Sequence, residues 1–137
     1  MSSMTCIVGV DTDIGKTIVT AALLRASSAL GVKTLGLKPV QTGAPEALDT
    51  LWYGRAAPGV PALTLEAFAK PCSPHLAAAL ENRRLDAADL IERIRTTVQD
   101  ADAEWTLVEG AGGWLTPIND RETVADADPY VLNKLTH

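Results

Sequence analysis

The sequence predicts an α/β fold in which a parallel sheet is flanked by helices. Three observations carry that expectation. A β-branched run, Thr5 to Val10 (TCIVGV), leads through a polar loop into an alanine- and leucine-rich stretch from Ile18 to Leu30. The stretch ends at Gly31, a natural helix stop, and a second apolar run, Lys33 to Leu37, follows. A further strand candidate, Trp105 to Val108 (WTLV), runs straight into EGAGG. Strand, helix and strand in this order form the crossover unit of a parallel sheet.

Taken in order, Thr5 to Val10 suits a buried strand, being short, β-branched and bounded by polar residues. Ile18 to Leu30 reads as the first helix and Lys33 to Leu37 as the second strand. From Pro39 the chain reads as irregular (KPVQTGAPEA), then as a helical piece around Ala47 to Ala57, broken by Pro58 to Pro61. Residues 62–74 fit a short strand and a proline-bounded loop. Helices are expected at about Pro74 to Asn82 and Asp86 to Asp100. The second carries Leu90, Ile91, Ile94 and Val98 on one face. There is no repeat, low-complexity tract or internal domain boundary, so residues 1–137 read as one domain.

Composition narrows the functions available. Hydrophobic residues are 47% and charged residues 21%, as in globular rather than disordered chains. The net charge is −5 and the twelve Lys and Arg are scattered, with Arg83–Arg84 the one adjacent pair. That argues against a nucleic-acid backbone as partner. Cys6 and Cys72 make no CxxC pair and no metal spacing with His75 or His137, and are expected to be reduced thiols. No apolar stretch reaches membrane-spanning length and no leader is apparent, so a cytoplasmic protein without a membrane partner is expected.

Chemistry is concentrated at three places. Gly9 to Thr17 reads GVDTDIGKT, ending in the Gly-Lys-Thr of a phosphate-binding loop; counted back from Gly15, the usual first glycine is Val10. The loop follows a strand and opens a helix, whose unpaired N–H groups and dipole favour an anion. Lys16 is placed to reach phosphate oxygens and the Thr17 hydroxyl to ligate Mg²⁺. The second place is Glu109, at the carboxyl end of WTLV where ligands gather on parallel sheets, followed by Gly110, Ala111, Gly112 and Gly113, a loop able to pass close to phosphate or metal. Asp49 is a weaker acidic candidate, equally readable as a helix cap. The third is Lys38, directly after the second strand, able to stabilise charge on a transferring phosphoryl group. Phosphate loop and parallel sheet together make the expected class a P-loop NTPase-type α/β domain.

GVDTDIGKT, KPVQTG (Lys38–Gly43), PCSPH (Pro71–His75) and VEGAGGW (Val108–Trp114) occur in the order found in dethiobiotin synthetases. The chain resembles that family from about Thr5 to Asp126. The resemblance implies an ATP-dependent ligase that joins CO₂ to 7,8-diaminononanoate, phosphorylates the carbamate and closes the ureido ring, releasing ADP and phosphate. It implies Lys38 as the catalytic residue, with Lys16 beside it on phosphate and carbamate oxygens, and Thr42 on substrate. Nucleotide contacts would come from Asp13, Ile14, Gly15, Lys16, Thr17, Ile18, Asp49, Glu109, Gly110, Ala111 and Gly112, and Mg²⁺ ligation from Thr17, Asp49 and Glu109. Members form homodimers.

The sequence departs from the family at two points. Val10 replaces threonine or glycine and is expected to alter the loop and hinder phosphate approach. The end after Asp126 (ADPYVLNKLTH) does not follow the family, whose complete members are longer, so later strands are expected to be missing from an incomplete domain. The base-reading stretch and a segment lining the partner's site would then lie beyond His137. The chain alone is accordingly expected to discriminate little between ATP and GTP and to make negligible dethiobiotin. Two alternatives stand beside the ligase: a P-loop nucleotide-binding switch or partitioning ATPase, and an inactive fragment. The switch usually carries an extra lysine where this loop has Asp11 or Thr12, and lacks KPVQTG.

Overall fold

The computed structural model describes residues 2–46 and 48–128. Four strands, β1 (Ser3–Ile7), β2 (Thr34–Thr42), β3 (Ala62–Phe68) and β4 (Trp105–Glu109), form one parallel sheet in the order β1-β4-β2-β3. Helices α1 (Lys16–Ala29) and α2 (Asp49–Ala56) cover one face. Helices α3 (Pro74–Leu80) and α4 (Ala87–Asp100), with a 3₁₀ turn at Val124–Ala127, cover the other. This is the expected P-loop NTPase-type α/β arrangement.

The helices form where sequence chemistry provides ends. Gly31 adopts a positive φ of 74°, one residue past the Leu30 cap of α1. Asp86 caps α4, its side chain accepting from the Asp89 N–H at 2.9 Å. The expected stripe on α4 is buried at Leu90, Ile91 and Ile94, with Val98 partly buried beside them. On the α1/α2 face, Ala21, Leu24, Tyr53, Ala57 and Leu107 pack together. On the other, Val40, Phe68, Ala77, Leu85, Leu90 and Ile118 form the larger cluster.

Three strand expectations are corrected. The first strand begins and ends earlier, at Ser3 and Ile7; Val8 and Val10 lie outside it and are exposed. It is half-buried rather than buried because β4 is its one neighbour among the described residues. The second strand does not stop at Leu37 but continues through Pro39 to Thr42. Pairing with β4 covers Thr34 to Leu37, while pairing with β3 runs from Gly36 to Thr42 and passes over Pro39. A residue without an N–H is tolerated there because β2 has by then lost one neighbour. Lys38 is therefore inside a strand, not after it. The beginning of the expected helix at Ala47 and most of the terminal segment, 129–137, lie outside the described residues.

Strand alternation and register together build the site. Successive residues point to opposite faces, so Glu109 lies on the α1/α2 side with Leu107, and Lys38 with Gly36. Leu37 sits opposite Val108, which brings Lys38 and Glu109 to neighbouring positions at the carboxyl end of the sheet.

Candidate active site

The loop between β1 and α1 folds around its own lysine. Lys16 Nζ donates to the Asp11 carbonyl at 2.8 Å, and the Thr12 N–H to Asp11 Oδ1 at 2.7 Å. Asp13 (φ 58°) and Gly15 (φ 107°) take the left-handed conformations that the reversal into α1 requires. Ile14 folds back over Gly9: a Cβ on Gly9 would come within 2.3 Å of Ile14 Cδ1. Val10 is 89% exposed and does not line the cleft. The expectation that Val10 obstructs phosphate approach is therefore corrected, because its side chain lies in solvent.

Glu109 is the hub. It is 1% exposed, and Oε1 accepts from Thr17 Oγ1 at 2.8 Å and Lys38 Nζ at 3.0 Å. Oε2 accepts from the Tyr53 hydroxyl. Lys38 Nζ also reaches Asp49 Oδ2 at 2.7 Å and donates to the Gly110 carbonyl at 3.1 Å. Asp49 opens α2, but Leu48 occupies the cap position and no side chain caps the helix. The cap reading of Asp49 is thus replaced by an ion pair with Lys38. Gln41 ties the strand to this helix, its Oε1 accepting from the Asp49 N–H at 3.0 Å.

Burial, and then the nearby Lys38 ammonium, hold Lys16 below the ordinary lysine value. Against these, the Glu109, Asp13 and Asp49 carboxylates favour its charged form. The Tyr53 phenol is pushed well above its usual range by burial and by the Glu109 carboxylate, so it stays a hydrogen-bond donor.

Above this hub lies a cleft of about 700 Å³. Asp13, Gly15, Lys16, Thr17, Ile18, Lys38, Thr42, Asp49, Glu109, Ala111 and Gly112 line it. Ile14 and Gly110 do not; Gly110 lines a separate apolar cavity behind the sheet with Cys6, Val108 and Ile118. Cys6 is a free thiol, pushed up to about 12 by burial and then by Asp128, and Cys72 is also free.

Sequence reasoning left out Tyr53, Thr12 and Thr116, and did not place the PCSPH loop in the site, although Pro71 to Pro74 form a wall of the cleft. The one available signal for Tyr53 is its spacing, four residues after Asp49 on the same helical face.

The donor set suits magnesium. Thr17, Asp49 and Glu109 offer oxygen alone, and the two carboxylates already share a cation, the Lys38 ammonium. Among the described residues no three His, Cys, Asp or Glu side chains group closely enough to cage a metal.

Residues 4–127 match a family model described as an AAA domain (AAA_26). The chain is 42% identical over 129 residues to the ATP-dependent dethiobiotin synthetase BioD 1 of Salmonella typhi, covering 88% of this chain and 56% of that protein. It is 40% identical to BioD 1 of Escherichia coli O157:H7, over 92% of this chain and 59% of the relative. The BioD protein of Yersinia pestis bv. Antiqua is 37% identical over 88% and 53%. The chain thus spans a little over half the length of these curated relatives.

Proposed function

We propose, from the premise that the chain belongs to the AAA domain family AAA_26, that it carries the phosphate-, metal- and carbamate-handling part of an ATP-dependent dethiobiotin synthetase. The observation that carries the reading is the Thr17–Glu109–Lys38–Asp49 cluster at the mouth of a phosphate loop. The names of the relatives add the substrate class. They do not favour the switch or partitioning ATPase.

In this reading the loop amides from Asp13 to Ile18 and the Lys16 ammonium hold the triphosphate at the start of α1. Ala111 and Gly112 border it, and Gly110 contributes through its contact with Lys38. Thr17, Asp49 and Glu109 hold Mg²⁺ directly or through water, which would neutralise charge on the phosphate oxygens. An amine of 7,8-diaminononanoate takes up CO₂ as a carbamate, near Thr42. Its oxygen attacks the γ-phosphorus and ADP leaves; the second amine then attacks the carbonyl carbon and phosphate departs. Lys38 serves these steps because it sits between the carboxylates and the cleft. With Asp49 and Glu109 engaged by the Mg²⁺ they would hold, its ammonium would be free to turn to a developing anion. The rest of the reading is a cytoplasmic homodimer of P-loop domains, each chain forming one domain. No helix among the described residues is long and apolar enough to cross a membrane.

The test is a chimera joining residues 1–127 to the remaining residues of the Salmonella typhi relative. Dethiobiotin and ADP are measured with each substrate omitted in turn. ADP release is expected to require both the diamine and CO₂. Release indifferent to either would sink the ligase reading in favour of the switch. In the same chimera Glu109→Gln keeps the shape and one acceptor while removing the charge a hard dication prefers. It is expected to raise the Mg²⁺ concentration giving half-maximal activity at saturating ATP. Superimposable titrations would remove Glu109 from the metal site.

A further inference from the structure

We propose that Tyr53 is a positioning residue of the metal–triphosphate site, its hydroxyl fixing the Glu109 carboxylate so that Oε1 faces Thr17 and Lys38. The inference rests on the reading above only in taking Thr17, Glu109 and Asp49 as the Mg²⁺-linked oxygens.

Tyr53 is 1% exposed and is the one buried residue of α2. Its ring packs with Leu24, Ala57 and Leu107, a role a phenylalanine ring would fill equally. The hydroxyl is the added feature: it donates to the site's central carboxylate, with the Thr20 side chain also within hydrogen-bonding reach. A buried phenol without a partner would be costly, and so would a buried carboxylate oxygen. Each satisfies the other, which leaves the two Glu109 oxygens with separate tasks. Oε2 is held from within the protein and Oε1 faces the cleft.

Two neighbouring features serve the same contact. A Cβ at Gly36 would stand 3.0 Å from Tyr53 Cδ2 and 2.9 Å from Leu24 Cδ1, so the glycine in β2 admits the ring beneath the site. Asp49 and Tyr53 lie one turn apart, so α2 delivers the Lys38 partner and the Glu109 partner from a single face. Any shift of this helix would disturb both carboxylates together.

Partners that orient a metal's ligands typically change metal affinity by about 10–100-fold when removed. Tyr53→Phe keeps the ring and deletes the donor. Calorimetry on the 137-residue chain, with ATP in EDTA and with ATP in excess MgCl₂, separates phosphate binding from its Mg²⁺-dependent enhancement. The expected result is unchanged affinity in EDTA and an enhancement about tenfold smaller. In a Glu109→Gln background Tyr53→Phe should have no further effect on the enhancement, because it acts through that carboxylate. If wild type gains from Mg²⁺ and Tyr53→Phe gains equally, Tyr53 only packs and the proposal is overturned. Equal losses with and without Mg²⁺, or additive losses in the double variant, overturn it too. Wild-type affinity indifferent to Mg²⁺ would bring down this inference and the metal reading together.

Discussion

Lys38→Ala is expected to reduce turnover of the chimera by about 10²-fold or more, the usual consequence of deleting one electrostatic stabiliser of a transition state. It should also lower folding stability by about 3–5 kcal/mol, because it breaks a buried ion pair from one side. Lys38 is 5% exposed and Glu109 1%, with Asp49 beside them. Without the ammonium two carboxylates converge with the Thr17 and Tyr53 hydroxyls as their remaining donors. The two losses can be separated. Added Mg²⁺ gives the carboxylates another counter-ion, so it should recover much of the melting temperature while leaving turnover low. ATP binding should weaken but persist through Lys16 and the loop. Unchanged turnover alongside the stability loss would make Lys38 a structural counter-ion and nothing more.

Much of the fold was legible because the local signals agree. Gly31 and Asp86 mark helix ends by backbone and capping chemistry that acts within a few residues, and both stand where expected. The errors occur where a distant neighbour decides. Pro39 and the polar Gln41 and Thr42 look like an exit from the sheet, and no local signal reveals that β3 extends the ladder beside them. TCIVGV looks buried because its residues are apolar, but depth belongs to the sheet order, and β4 is the neighbour that β1 pairs with.

The site divides in the same way. Lys16, Thr17, Lys38 and Glu109 were legible because each sits at a fixed place relative to a strand or helix end. Asp49 was not separable from a cap, since that choice depends on Lys38 reaching it from β2 across the space beneath α2. Tyr53 gave no sign beyond its spacing from Asp49, as a buried aromatic residue on a helix is ordinary core. Its hydroxyl takes on a role in the site through Glu109, fifty-six positions away.

EGAGG reads as a loop able to pass close to phosphate or metal, and an alanine substitution at Gly113 should show how tightly it meets the phosphate loop. At Gly113 a Cβ would stand 2.5 Å from the Val10 carbonyl oxygen, 2.9 Å from its carbon and 3.2 Å from the Asp11 Cα. All three are backbone atoms of the phosphate loop, so no side chain can turn aside to make room. The next residue strengthens the seam, the Trp114 N–H donating to the Gly9 carbonyl at 2.6 Å. Gly113→Ala must therefore push the two loops apart, and the phosphate loop moves with Asp11, whose carbonyl holds Lys16. A misplacement of about 1 Å in a catalytic constellation can cost on the order of 10²-fold, which is the loss expected in chimera turnover, with weaker ATP binding beside it. Gly54, exposed on α2 and assigned no role in the site, is the control. Nothing stands within 4 Å of an added Cβ there, so Gly54→Ala should stay close to the parent. Neither glycine has the positive φ seen at Gly112, so the contrast isolates space from backbone strain. Equal effects at the two positions, in turnover and in calorimetric ATP affinity, would show that the seam between the loops does not position the phosphate site.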